Sequence, residues 1–243
     1  MQKIIILILS SSGDVYSQFK YLQTQYLSKF TNHIKFYFIE FNAIQKEDVI
    51  ENNNTLSFKG NESITPGMII KTSLAIKYLN KYDYNFIFRT NLSTVINMYN
   101  LFDIINNFDI SENMCSGFHV FGFITGTGII MNKNVANIVA NNYKSFNYLN
   151  VCEDVLISQM FSHYNIKYIQ PNNYKWGIII DTVNDSDSDR EPHMTLYLTN
   201  NIYSKFNFDN NILHFRIKNN DRNIDLLFFK DILDQLYGIK IDI

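Results

Sequence analysis

Two cysteines, three prolines, nine glycines and one tryptophan are all that this chain of 243 residues carries of the residues that mark special architectures. Cys115 and Cys152 cannot build a disulfide framework, and neither belongs to a CxxC pair with metal-ligand spacing. A reducing cytoplasm is therefore the expected compartment. Charge is sparse as well, at 18%, too little for a disordered tail or a coiled coil. An excess of either charge is missing too: 21 Lys plus Arg stand against 23 Asp plus Glu, a net charge of -2. No summed positive field exists to hold a polyanion by counterion release, so nucleic acid is not an expected partner. No apolar run approaches the ~18 residues of a membrane span. The opening run, Ile4 to Leu9, falls short of the roughly 7–15 residues of a secretory h-region and has no small-residue cleavage site after it. It is expected to be a buried first strand.

What is present is core material. Hydrophobic residues make up 46%, aromatics 15% and charged residues 18%, too much apolar and too little charged composition for a disordered chain. The length suits one α/β domain, a class whose single domains run to about 200–250 residues. With 33 Asn, 35 Ile and only 4 Ala, the composition carries the bias of an A+T-rich genome, so isolated Asn residues are given no structural meaning.

Ile4 to Leu9 is followed by Ser10-Ser11-Ser12-Gly13 and then by helical spacing of apolar residues from Tyr16 to Phe30, giving strand, loop, helix. Ile34 to Phe41 reads as a second strand, Gly67 to Leu79 as a helix with Pro66 at its first turn, and Asn85 to Phe88 as a third strand. Alternating strands and helices predict an α/β fold with a mostly parallel, Rossmann-like sheet, whose ligands sit beyond the carboxyl ends of the strands. That directs attention to loops 10–13 and 89–94. The second half reads as a mixed portion. Phe118 to Thr125, Gly128 to Met131 and Lys167 to Gln170 are expected strands, and Asn134 to Asn142, Asp154 to His163 and Asp225 to Tyr237 are expected helices. Asp181 to His193 has the composition of a mobile loop. With no repeat and no linker, one domain over 1–243 is expected, with one half over about 1–97 and the other over about 98–243.

Four segments carry polar residues where chemistry could use them. The strand ending in Phe88 delivers Arg89, Thr90, Asn91 and Ser93 to the crevice, although an ordinary strand exit would look the same. Thr125-Gly126-Thr127-Gly128 lets backbone approach a ligand, or is simply a tight turn; it lacks the GxGxxG spacing of a dinucleotide fingerprint. Cys152-Glu153-Asp154-Val155 opens a helix, where carboxylates serve either the positive dipole end or catalysis. Leu213 to Lys218 alternates as an edge strand does, placing His214, Arg216 and Lys218 on one face, a set suited to an anionic ligand with or without a metal.

The order of these segments adds information. The run from Glu62 to Leu79 with its Lys71-Thr72 pair, then Phe-Ile-Phe-Arg-Thr-Asn-Leu-Ser93, Thr-Gly-Thr-Gly-Ile-Ile-Met131, Glu153-Asp-Val155 and His214, resembles the GT-A glycosyltransferases of the β-1,3-galactosyl- and N-acetylglucosaminyltransferase type, family 31. The resemblance covers roughly residues 3–230 in pattern and order rather than in long identities. In that family an Asp-rich DxD motif ends the strand. Here the matching positions are Asn91, Leu92 and Ser93, which hold no carboxylate. The family's aspartates hold a divalent metal on the donor diphosphate, and amide and hydroxyl oxygens would bind Mg²⁺ or Mn²⁺ far more weakly. The RTNLS form resembles that of a bacterial and viral branch of such proteins.

The resemblance implies transfer of a sugar from a nucleotide-diphosphate sugar, a UDP-sugar first, to a hydroxyl of a glycan or other acceptor. It implies Asp154 as the base of an inverting displacement and Glu153 as a residue orienting the helix start or the acceptor. Arg89, Arg216 and Lys218 would neutralise the diphosphate, with His214 either donating a hydrogen bond or serving as the one retained metal ligand. Ser10, Ser11 and Ser12 would line the nucleotide pocket, with Lys71, Asn91, Ser93, Thr125 and Gly126 beside the donor. A non-catalytic binding protein that kept the shell after losing the metal site is the reading from another class.

Overall fold

The computed structural model describes residues 2–120, 122–170, 175–181, 195–197, 211–218 and 221–241. Along the chain run β1 (Ile4–Leu9), α1 (Asp14–Leu27), β2 (Ile34–Asn42), β3 (Val49–Asn52), β4 (Thr55–Lys59), α2 (Gly67–Leu79), β5 (Phe86–Asn91), β6 (Thr94–Ile96) and α3 (Met98–Asn106). They are followed by β7 (Met114–Val120), β8 (Phe123–Asn132), α4 (Lys133–Asn142), α5 (Glu153–His163), β9 (Lys167–Tyr168), β10 (Lys175–Asp181), β11 (Thr195–Tyr197), β12 (Ile212–Lys218) and α6 (Arg222–Tyr237). The loop expected after Asp181 lies outside the described residues.

Two compact units interleave along the sequence. The first comprises Met1–Ser12, Thr31–Asn91 and Asn106–Gln170, and the second Gly13–Phe30, Leu92–Ile105 and Pro171–Ile243. The first unit is built on an eight-stranded sheet in the order β3-β4-β2-β1-β5-β8-β7-β9. Every residue of β1 is buried, because the strand runs parallel between β2 and β5. This is why its sequence is continuously apolar rather than alternating. The parallel block β4-β2-β1-β5 becomes antiparallel at both ends, through β3 on one side and β8 on the other. The molecule is thus a mixed α/β protein with a large central sheet. Its core on one side packs Leu7, Ile39, Ile76, Ile87, Ile129 and Ile157 together, bringing α2, α4 and α5 onto the sheet.

The second unit carries the sheet β11-β10-β12-β6. β12 is parallel to β10 and antiparallel to β6, so it is central in its sheet. Its alternating pattern had suggested an edge strand. α1 and α6 meet in this unit through Phe19 against Phe229, and Tyr26 stacks on Tyr237.

Residues 118–131 also differ from their sequence reading. Instead of two short strands around a TGTG turn, β7 and β8 form one long hairpin, and Thr125 to Gly128 lie within β8. The pairing shifts register between Gly117 and His119, as at a β-bulge. Gly117 makes the closure possible: a Cβ there would lie 2.3 Å from Ile124 Cγ2 and 2.7 Å from the Gly128 carbonyl oxygen. Because one of those neighbours is backbone, Gly117→Ala forces the hairpin apart. We expect a loss of about 1–3 kcal/mol, read as a fall in Tm of roughly 3–10 °C; an unchanged Tm would show that the two strands separate without cost.

Candidate active site

The site grows from one buried charge. β5 carries Arg89 into the interior of the first unit, where its side chain is 2% exposed beside Glu153, 1% exposed. Arg89 Nε donates to Glu153 Oε1 at 3.2 Å and Nη2 donates to Oε2, a two-pronged ion pair. The Thr72 hydroxyl of α2 donates to the same Oε1 at 2.5 Å. Glu153 therefore does more than complement the helix dipole. It ties α5 to β5 and α2, while the N-cap position, Cys152, makes no side-chain cap bond.

The third arm of Arg89 reaches β8. Nη1 donates to the Gly126 carbonyl, which also accepts the Asn91 side-chain amide at 2.8 Å. A Cβ on residue 126 would lie 2.7 Å from Arg89 Nη1, so any larger residue there has to displace the guanidinium. The Gly126 N–H in turn donates to Asp154 Oδ2 at 3.0 Å. Four residues later on α5, the Ser158 hydroxyl accepts the Ile124 N–H at 2.8 Å and donates to the Asp154 carbonyl at 2.8 Å. Two residues of strand span about 6.6 Å and four of helix about 6 Å, so α5 is stitched to β8 at matching intervals. Thr90 donates to the Thr127 carbonyl at 2.7 Å, and the Thr125 and Thr127 hydroxyls bond each other.

The two neighbouring carboxylates end in different surroundings. Glu153 is buried and paired with Arg89, whereas Asp154 is half-buried, its Oδ2 accepting the Gly126 N–H of β8 and its Oδ1 the Val155 N–H of its own helix, each at 3.0 Å. Of the two, Asp154 is the oriented carboxylate that stays partly open to solvent.

At the end of β1, Lys71 of α2 donates to the Ser10 carbonyl and to Glu62 Oε2, both at 2.7 Å, while Glu62 Oε1 accepts the Phe41 N–H. With its side chain 4% exposed, Lys71 fastens α2 to the ends of β1 and β2. Ser10 is buried, and Ser11 and Ser12 are progressively more open. In the second unit, Arg216 donates to the Ser93 hydroxyl, and the Ile217 N–H donates to the Ser93 carbonyl. His214 is 1% exposed, and burial together with the Arg216 charge pushes its pKa down to about 3, so it is neutral at physiological pH. Lys218 ends β12 opposite Asp181 of β10.

Sequence reasoning missed Thr72, Glu62 and Ser158. Thr72 lay in the quoted Lys-Thr pair, and Ser158 stands one helical turn after Asp154, so each had a local signal. A divalent cation does not suit residues 91–93. Asn91 offers only a neutral amide oxygen, its N–H being donated to the Gly126 carbonyl, Leu92 is apolar and buried, and the Ser93 hydroxyl accepts from the Arg216 guanidinium. Among the described residues, no group of three or more His, Cys, Asp and Glu side chains is placed to hold a metal ion.

No family model matches the sequence, and no curated protein matches it. Among solved structures, a glycosyltransferase involved in the glycosylation of the major capsid of PBCV-1 is similar over 93% of this chain and 98% of its own, with a TM-score of 0.50 and 12% identity. The glycosyltransferase GlyE of Streptococcus pneumoniae TIGR4 aligns with 71% of this chain at a TM-score of 0.44 and 12% identity. This chain spans 46% of GlyE's length. The first likeness gives the chain a glycosyltransferase fold.

Because each partner of a buried ion pair is stranded without the other, Arg89→Met and Glu153→Gln should each lower the unfolding free energy by about 3–5 kcal/mol. The double variant Arg89→Met/Glu153→Met should lose less than the sum of Arg89→Met and Glu153→Met, as measured by urea unfolding. Additive losses below about 1 kcal/mol would mean that the pair does not organise the site.

Proposed function

We propose that the chain is a glycosyltransferase of the GT-A type. It moves a sugar from a nucleotide-diphosphate sugar to an acceptor hydroxyl with inversion at the anomeric carbon. The observation that carries this reading is the division of labour between adjacent carboxylates: Glu153 is consumed by Arg89 and Thr72, and Asp154 is left accessible and aimed. The order of motifs resembling family 31 supports it, as does the fold shared with the transferase that acts in PBCV-1 capsid glycosylation.

In this reading Asp154 accepts the proton of the acceptor hydroxyl as its oxygen bonds to the anomeric carbon. The bond from that carbon to the diphosphate oxygen breaks on the opposite face, and the nucleoside diphosphate leaves with the electron pair. Arg89 and Glu153 are positioning residues, fixing Gly126 and through it Asp154. Ser11 and Ser12, beyond the carboxyl end of β1, receive the nucleotide, and Lys71 holds that strand end in place. UDP-sugars are the first donors to try. The neutral oxygens at Asn91 and Ser93 are poor ligands for Mg²⁺ or Mn²⁺, so donor binding is read as not strictly metal-dependent; no step is routed through an ion.

Asp154→Asn keeps the size of the side chain and one oxygen to accept the Gly126 N–H, gives up the bond from the Val155 N–H, and removes proton-accepting power. Turnover should fall by roughly 10²–10⁴, with donor affinity and Tm nearly unchanged. If the carboxylate only complements the helix dipole, the variant loses a few tenths of a kcal/mol and keeps its turnover. An active, normally folded Asp154→Asn protein would therefore overturn the reading.

A further inference from the structure

Next to Asp154, on the same flank of β8, the first unit contains a cavity of about 190 Å³ that none of the roles above uses. Ile124 and Gly126 point to one face of the strand. Gly126 holds Asp154, and Ile124 lines the cavity, with Ser158 between them on α5. Ser158, which lines the cavity, stands four residues after Asp154 on α5, about 6 Å along the helix axis.

Its walls define a ligand class. His119 and Tyr168 form a bent aromatic wall, with ring centres 5.6 Å apart and planes at 52°. Phe161 adds a buried apolar wall, and the exposed Ser162 a hydroxyl that donates to the Ser158 carbonyl at 3.2 Å and can still accept. No Lys, Arg, Asp or Glu is among the described lining residues. Gly122 also lines it, and among the described residues a Cβ built there would meet nothing within 4 Å. The Tyr168 hydroxyl is already donated to the Gly117 carbonyl at 2.7 Å, which fixes the ring and leaves its face to a ligand. The imidazole of His119 is exposed and, when neutral, offers one donor and one acceptor.

An uncharged, C–H-rich face beside scattered hydrogen-bonding groups suits a sugar ring and disfavours a phosphate. One water needs about 10–15 Å³ of such space, so the volume takes on the order of a dozen non-hydrogen atoms, the size of one hexose. The geometry points to a neutral saccharide unit of the acceptor as the occupant, stacked on His119 and Tyr168 while its neighbouring hydroxyl faces Asp154. This assignment rests on the transferase reading, and makes His119 and Tyr168 residues of acceptor specificity.

Saturation-transfer NMR with the methyl glycosides of glucose, galactose, mannose, rhamnose and N-acetylglucosamine tests it on the intact chain without any turnover. At least one glycoside should show transfer concentrated on the C–H protons of one ring face, with Kd of about 1–10 mM. His119→Ala, an exposed position, should weaken that binding about fivefold or more, and Ser162→Trp, which fills the cavity, should abolish it. Tyr168→Phe, which keeps the ring, should retain it. Thermal unfolding of each variant verifies the fold. The inference is overturned if no glycoside receives saturation, if all variants bind equally, or if inorganic phosphate competes. The two failures are separable. Donor binding without glycoside binding overturns the cavity assignment alone, and glycoside binding without donor binding overturns the transferase reading, leaving a saccharide site.

Discussion

The buried pair of Arg89 and Glu153 is the constraint on which the rest of the first unit's active end depends. Taking both charges out of water costs several kcal/mol for each ion, a penalty that mutual attraction offsets only when the remaining donors and acceptors are also used. Here they are. The guanidinium contacts both carboxylate oxygens and the Gly126 carbonyl, and Thr72 donates to the carboxylate as well. Four elements, α2, β5, β8 and α5, are thereby held at one point. A buried pair of similar-sized apolar residues could fill the space, but it could not dictate where Gly126 points.

That pointing matters because of helix geometry. Successive residues of an α-helix are rotated by about 100°, so two adjacent carboxylates cannot share one environment. Glu153 turns inward to the guanidinium, and Asp154 turns to the Gly126 N–H and stays half-buried. The buried member fixes the helix so that the open member is held in one orientation. Orientation is what a general base requires beyond mere presence. The same stitching by Ser158 shapes the wall between Asp154 and the cavity lined by His119 and Tyr168.

Much of the scaffold was legible in the sequence. The run Ile4 to Leu9 announces a strand buried on both faces, and Glu153 opens a helix within a residue of where the pattern places it. The hairpin of β3 and β4 was invisible because Glu51, Asn52, Asn53 and Asn54 carry neither alternation nor an apolar run. Discounting asparagine as compositional bias was also too coarse. Asn53 takes a left-handed φ of 50° at the hairpin turn, Asn54 donates to the Phe36 carbonyl, and Asn132 caps α4. At the site, local pattern picked out Arg89, Lys71, Glu153, Asp154, Ser10 and Gly126, but not which of them bond to one another. Arg89 and Glu153 are 64 positions apart, and only the folded sheet shows that the arginine expected to meet a diphosphate is committed to a carboxylate. β12 misled for a related reason: alternation reports which face is buried, and here it did not report that both edges of the strand are paired.

The account stands on a donor being bound by this fold, and binding to the native state alone raises Tm. The most direct measurement is thermal unfolding across UDP-, GDP-, dTDP- and CMP-sugars, each with EDTA and with Mn²⁺. One nucleotide sugar at about a hundred times its Kd should stabilise the protein by about 2.7 kcal/mol, several degrees in Tm, in EDTA as well as in Mn²⁺. No shift with any nucleotide sugar in either condition would contradict the central claim.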